Sequence, residues 1–259
     1  MKSLEESVTT AMDGSDIRIF PYLPYILQDL WELGTIPDTM IKLIKKHFTN
    51  YSNQKVLDLG CGKGAVSVKL SQQLKCSCYG IDAIEDFITF AQQKANVYNV
   101  DQLCKFEVGD IREKVKDISG YDIIILGAIG PVFGDYYTTL NILSDCLNET
   151  GIILIDDAYS EDHSEFVHPL IFKKSDITQQ IEKAGMIIVE YDILNTDDIK
   201  KTNDYMYDKL KLRCNELIEK YPDKKNLFLD YIKKQKTENV VLESKITAVT
   251  LVIKKKRQL

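Results

Sequence analysis

Asp58, Gly60, Gly62 and Gly64 share one short stretch, Asp58-Leu59-Gly60-Cys61-Gly62-Lys63-Gly64, directly behind an apolar run. Glycine takes up positive φ and lets backbone approach a ligand with no Cβ in the way. A helix beginning just after the stretch would aim its free N–H groups at an anionic part of that ligand. Two further acids, Asp82 and Asp110, follow apolar runs in the same manner. If those runs are parallel strands, both acids stand at the carboxyl edge, where open sheets bind ligands. The chemistry these residues suit is the binding of a nucleotide-like molecule.

The loop alone leaves open which nucleotide. Gly60-x-Gly62-x-x-Ala65 satisfies the dinucleotide pattern G-x-G-x-x-G/A, and Asp82 suits a ribose in either kind of site. Three features point away from a dinucleotide. Asp58 stands two residues before the first glycine, Gly109-Asp110-Ile111 adds a second acid, and no second phosphate loop follows Gly127-Ala128.

The stretches 56–64 (VLDLGCGKG), 79–82 (YGID), 108–111 (VGDI), 121–128 (YDIIILGA) and 147–157 (LNETGIILIDD) resemble, in order, the motifs of class I, Rossmann-like S-adenosylmethionine-dependent methyltransferases. The resemblance covers residues 51–195 and the last strand. It implies a methyltransferase acting on a small-molecule acceptor, with S-adenosylmethionine as donor and S-adenosylhomocysteine as product. By that resemblance Gly60, Cys61, Gly62 and Gly64 hold the methionine moiety, with Asp58 near its amino end. Asp82 would take the ribose hydroxyls, and Asp110 the adenine amino group, with Ala83 or Ile111 against the ring. Gly127 and Ala128 would lie below the sulfonium. Ala83 and Ile111 read equally as core, and Cys61 as a small loop residue. Competing readings are an NAD(P)-dependent oxidoreductase and a non-catalytic module that binds the same donor.

Methyl transfer from a sulfonium is an in-line displacement that works largely by positioning, worth up to roughly 7–11 kcal/mol. A hydroxyl or protonated amine acceptor also requires a base. Candidates follow the fifth apolar run: Asp156, Asp157, Tyr159, His163 and His168. Asp156-Asp157 resembles the Asp-Asn pair of metal-dependent catechol-type enzymes. Their acidic and lysine motif after the fourth strand is missing from 127–134, so no metal is expected. Tyr22, Tyr25, Trp31 and Tyr159 are candidates for the acceptor pocket, since aromatic faces suit a cation and an apolar body alike. Anchoring helices to the sheet is the equal alternative for the first three, and Tyr205, Met206 and Tyr207 face the same choice.

The elements that must position these residues follow from periodicity. Apolar runs at Lys55–Leu59, Cys76–Ile81, Phe106–Val108, Tyr121–Leu126, Gly151–Ile155, Met186–Tyr191 and Ile246–Ile253 predict seven strands. Helical spacing covers 65–74, 84–97, 133–147 and 175–184. Alternation of the two gives right-handed crossovers and a doubly wound α/β fold. The expectation is a seven-stranded, mostly parallel sheet with the last strand antiparallel. Residues 1–50 form a helical cap, with helices at Tyr25–Leu33, between Pro24 and Gly34, and from Pro37. Residues 51–195 form the donor-binding core. Residues 196–239 are a helical insertion striped by Met206, Leu210, Cys214, Leu217 and Tyr221, and 240–259 carry the last strand and a basic tail.

Bulk properties narrow the partners. A net charge of −6 argues against nucleic acid, which needs a basic surface. The basic run Lys254-Lys255-Lys256-Arg257 reads as a solvated tail. No apolar stretch nears the ~20 residues that span a bilayer. The polar start, 1–14, does not read as a secretory signal. The six cysteines are scattered without metal-ligand spacing, which points to a reducing, cytoplasmic setting.

Overall fold

A computed structural model describes residues 2–256; Arg257, the end of the basic run, lies outside them. Seven strands, β1 (Lys55–Leu59), β2 (Ser77–Asp82), β3 (Cys104–Val108), β4 (Tyr121–Gly127), β5 (Leu147–Tyr159), β6 (Met186–Ile193) and β7 (Thr247–Lys255), form one sheet. Their order is β3-β2-β1-β4-β5-β7-β6. β1 to β5 pair in parallel, and β7 runs antiparallel between β5 and β6. This is the doubly wound, mostly parallel sheet that the alternating pattern predicts.

Strands buried on both faces need apolar residues at successive positions. Leu57, Leu59, Ile124, Leu126 and Ile153 enter one layer, with Leu140 and Leu143 of α7 (Tyr136–Ser144) and Ile177 and Ile181 of α8 (Lys174–Lys183). Their neighbours Val56, Ile123, Ile125 and Leu154 enter the other. There they meet Met40, Leu43 and Ile44 of α3 (Pro37–His47) and Val66 and Leu70 of α4 (Ala65–Leu74). α5 (Glu85–Val97) packs Ile88, Ala91 and Ala95 against Val68 and Phe106.

The remaining helices are α1 (Leu4–Ala11), α2 (Leu23–Ile26), α6 (Ile111–Lys114), α9 (Thr196–Lys220) and α10 (Lys225–Ser244). A satellite core joins residues far apart in sequence: Ile19, Leu23, Ile26 and Leu30 pack with Leu210, Cys214 and Leu217 of α9 and Phe228 and Tyr231 of α10. It also takes in Ile84 and Phe87, which fixes this cap over the β2–α5 corner.

Two local expectations need correction. Tyr25–Leu33 is not a helix; only Leu23–Ile26 is. The Lys63 ammonium bonds the carbonyls of Leu27 and Leu30, at 2.5 and 2.7 Å, and so ends the helix early. β5 is much longer than Gly151–Ile155 because β7 pairs along its far end, Asp156 with Thr250 and Tyr159 with Thr247. Asp156 and Asp157 are thus strand residues rather than loop residues. The polar start contains α1, which Ser3 and Glu6 close as a capping box.

Among the described residues no helix is long and apolar enough to cross a membrane.

Candidate functional site

The loop between β1 and α4 is held in a shape that few residues but glycine adopt: Gly60, Gly62 and Gly64 have φ of 72°, 52° and 72°. Space is as tight as conformation. A Cβ on Gly60 would meet Ile129 Cγ2 at 2.5 Å, and one on Gly64 would meet Ala91 Cβ at 2.7 Å. The N–H groups of Gly60 and Cys61 donate to the Ile81 carbonyl at 2.8 and 3.0 Å, which stitches the loop to β2. Asp58 lies below, 3 % exposed, and accepts the Ser67 hydroxyl at 2.6 Å. Burial pushes its carboxyl up to about 6. The Cys61 side chain comes against Gly80, and burial raises its thiol well above the ordinary range.

Asp82 ends β2 as a brace for the loop. One oxygen accepts the Gly62 N–H and the other the Ile84 N–H, both at 2.9 Å. Burial raises its pKa against the pull of these bonds. Ala83 beside it is half-buried, and Ile111 is core. Asp110 caps α6 and pairs with the Arg112 guanidinium, 2.7 Å from Nη2, which holds the carboxyl below its usual range. Arg112 also donates to the Lys2 carbonyl and the Ser7 hydroxyl, tying α1 to this corner.

A roof from the cap covers the loop. The Trp31 indole donates to the Lys63 carbonyl at 3.0 Å, and Leu33 reaches Gly62. Thr35 lies so close to Gly127 that a Cβ there would sit 2.6 Å from its hydroxyl oxygen. That hydroxyl is buried beside the Asp156 carboxyl, whose charge it favours, without a well-aligned hydrogen bond to it. Between roof and loop, with Ile129 on one side, a cavity of about 70 Å³ remains.

Across Ala128 and Ile129 a far larger cavity opens, about 740 Å³. Ala128 itself holds φ 54° and donates its N–H to the Asp156 carbonyl at 3.0 Å. Asp156 and Asp157 both line this cavity, as does His168. The Asp157 carboxylate accepts the Tyr136 hydroxyl at 2.7 Å and the Ala158 N–H at 2.8 Å. Asp156 accepts the Thr250 hydroxyl at 3.2 Å, and burial pushes it up to about 6. His168 stacks on Phe166 and accepts the Leu170 N–H.

Other candidates lie elsewhere. Tyr159 is 1 % exposed inside the main core, because its side of β5 faces the α7–α8 layer. His163 is exposed on the following loop and does not line the large cavity. Tyr22 packs edge-on against Phe228 and Tyr221, and the Tyr25 hydroxyl donates to Glu216 of α9. Both are anchors of the cap; only Trp31 borders the loop. Among the described residues no three His, Cys, Asp or Glu side chains gather as a metal site requires.

The sequence reading passed over Thr35, Lys63, Ile129 and Arg112. Lys63 sits inside the glycine motif and could have been questioned there. Nothing in the spacing marked the other three.

A family model described as a methyltransferase domain matches residues 50–213, and the chain belongs to that family. Among curated proteins, the malonyl-[acyl-carrier protein] O-methyltransferase of Bacillus cereus is 29 % identical over 133 residues, 49 % of this chain and 48 % of that protein. The chain thus spans about half the length of this relative. Among solved structures, an S-adenosyl-L-homocysteine complex of a SAM-dependent methyltransferase from Thiobacillus denitrificans aligns with TM-score 0.72 at 17 % identity, covering 89 % of this chain and 96 % of that one. The cyclopropane synthase MmaA2 of Mycobacterium tuberculosis aligns with TM-score 0.74 at 14 % identity, covering 98 % and 99 %. These likenesses define the fold.

Proposed function

We propose that this protein transfers a methyl group from S-adenosylmethionine to a small molecule held in the large cavity. The observation that carries this is the brace between Asp82 and Gly62, which fixes three left-handed glycines at the carboxyl edge of β1. That edge lies where strand order reverses between β1 and β4, the place open sheets bind ligands. The antiparallel β7 between β5 and β6 also departs from the all-parallel order 3-2-1-4-5-6 of dinucleotide folds.

The residues present fit the donor in kind. Gly60 to Gly64 and Asp82 would hold it, and the buried Thr35 hydroxyl, which makes no well-aligned bond, offers a further polar contact at the same spot. Room comes from the side chain at Ile129, which now fills the space over Gly60 and divides the small cavity from the large one. When bound, the donor supplies an activated methyl group on sulfur. The chain's own part is to orient the acceptor, exclude water beneath the cap and take up a proton where the acceptor carries one.

The size of the cavity and the net charge of −6 favour a small molecule over nucleic acid as acceptor. In this reading residues 1–50 and 196–239 act as an acceptor cap on the core. Six cysteines without a disulfide suit a reducing cytoplasm. Incubation with S-adenosylmethionine labelled in its methyl group tests the proposal, with small-molecule extracts as acceptor source. Label should appear in a low-mass product together with S-adenosylhomocysteine. Label confined to the donor in every extract would contradict it.

A further inference from the structure

Charges on the wall of the large cavity do not balance. Arg112 is held by Asp110, Lys116 is bonded to Glu113, and Glu238 is paired with Lys234 of its own helix. Asp13 faces Lys234 and Gln235 of α10, so among the described residues Asp156 and Asp157 remain on the wall against Lys2. Asp157 already receives two hydrogen bonds. Asp156 is 9 % exposed; its Oδ1 accepts the Thr250 hydroxyl, the Thr35 hydroxyl lies beside the same carboxyl, and no cation pairs with it among the described residues. A buried carboxylate on a cavity wall that has hydroxyl partners but no cation is costly unless something supplies a charge.

Its place is as telling as its chemistry. Asp156 is the register partner of Gly127, one strand from the position expected beneath the donor's sulfur. The wall also carries apolar residues, among them Ile36, Val132, Phe133, Leu170, Ile199 and Met206.

Resting on the methyl-transfer reading above, we propose that the acceptor is an amine with an apolar body, its protonated nitrogen bound to Asp156, which serves as the base. The ammonium gives a proton to the Asp156 carboxylate. The freed lone pair then forms the nitrogen–carbon bond as the carbon–sulfur bond breaks, and that electron pair leaves with sulfur as a neutral thioether. The positive charge stays on the methylated nitrogen, and Asp156 returns its proton to water. Burial supports both ends of the exchange, since it raises a carboxylate's affinity for the proton and lowers an ammonium's. A carboxylate acceptor of the same shape would face like charge and be rejected.

Calorimetry on the protein saturated with S-adenosylhomocysteine tests this with three matched probes: 2-phenylethylamine, 2-phenylethanol and 3-phenylpropanoate. The amine should bind at least about tenfold more tightly than the other two, as a charge-assisted bond requires. In Asp156→Asn that preference should fall to within about threefold, while affinity for S-adenosylhomocysteine stays unchanged. Equal binding of the three probes by the wild type overturns the proposal alone. So does an Asp156→Asn variant that weakens S-adenosylhomocysteine as much as the amine, since the carboxylate would then serve the donor. A wild type that binds no S-adenosylhomocysteine removes the methyl-transfer reading, and this proposal with it.

Discussion

Trp31 and Lys63 are clasped in two directions: the indole N–H bonds the Lys63 carbonyl, while the Lys63 ammonium reaches back to the Leu27 and Leu30 carbonyls just before Trp31. The ammonium also lies 5.0 Å from the Phe90 ring centre and is 4 % exposed as a residue. A lysine inside the glycine loop therefore holds the cap onto that loop. Lys63→Met keeps the stem and removes both charged bonds, each worth roughly 1.5–3 kcal/mol. The variant should lose about 2–4 kcal/mol in urea unfolding, and amides of 23–35 should exchange faster while those of β4 do not. Unchanged exchange in 23–35 would mean that the satellite core alone anchors the cap.

Ile129 occupies the space over Gly60, so any ligand in the loop must displace it. Ile129→Ala should tighten S-adenosylhomocysteine binding severalfold at small cost in stability, because the half-buried side chain no longer has to move. Titration calorimetry reads this directly. Weaker binding would show that Ile129 packs on the ligand rather than in its place.

Thr35 gives a prediction whose two parts have opposite signs. Replacement by valine removes a buried hydroxyl that makes no well-aligned bond, which at pH 4, where Asp156 is protonated, should raise stability by about 1 kcal/mol. If that hydroxyl serves the ligand, the same change should weaken donor binding by about tenfold, the loss of one buried hydrogen bond. A variant that is more stable and binds equally well would make Thr35 a packing residue only.

Asp156 links the site to pH. Its carboxyl is raised from 3.8 to about 6 by burial, so folding favours its protonated form. The stability it adds is full below about pH 4 and is lost as the pH rises through about 6. Asp156→Asn avoids that loss. Its unfolding free energy should exceed the wild type's at pH 7.5, by up to about 3 kcal/mol at roughly 1.4 kcal/mol per unit, with a higher thermal midpoint there and a matching one at pH 4. Equal midpoints at pH 7.5 would mean that the carboxylate is well solvated there.

Much of this was legible beforehand. The limits of β1 and α4 follow from Lys55-Val56-Leu57-Asp58-Leu59 and from the apolar spacing after Gly64, because strand and helix periods differ sharply at that junction. The glycines and Asp82 were legible because their chemistry is local. What escaped depends on contacts across long loops. The helix around Tyr25 stops because a lysine more than thirty residues away takes its carbonyls, and no local propensity records that. β5 runs on to Tyr159 because β7, almost a hundred residues later, offers it a partner. Thr35 and Ile129 matter only through their nearness to Gly127 and Gly60, which spacing does not encode.

The central claim is that the glycine loop holds S-adenosylmethionine, and calorimetric titration of the protein tests it most directly. S-adenosylmethionine and S-adenosylhomocysteine should both bind, NADH should not, and Asp82→Ala, checked for folding by circular dichroism, should lose both. Binding of NADH with no heat from the sulfur ligands would contradict the account and return the loop to the dinucleotide class.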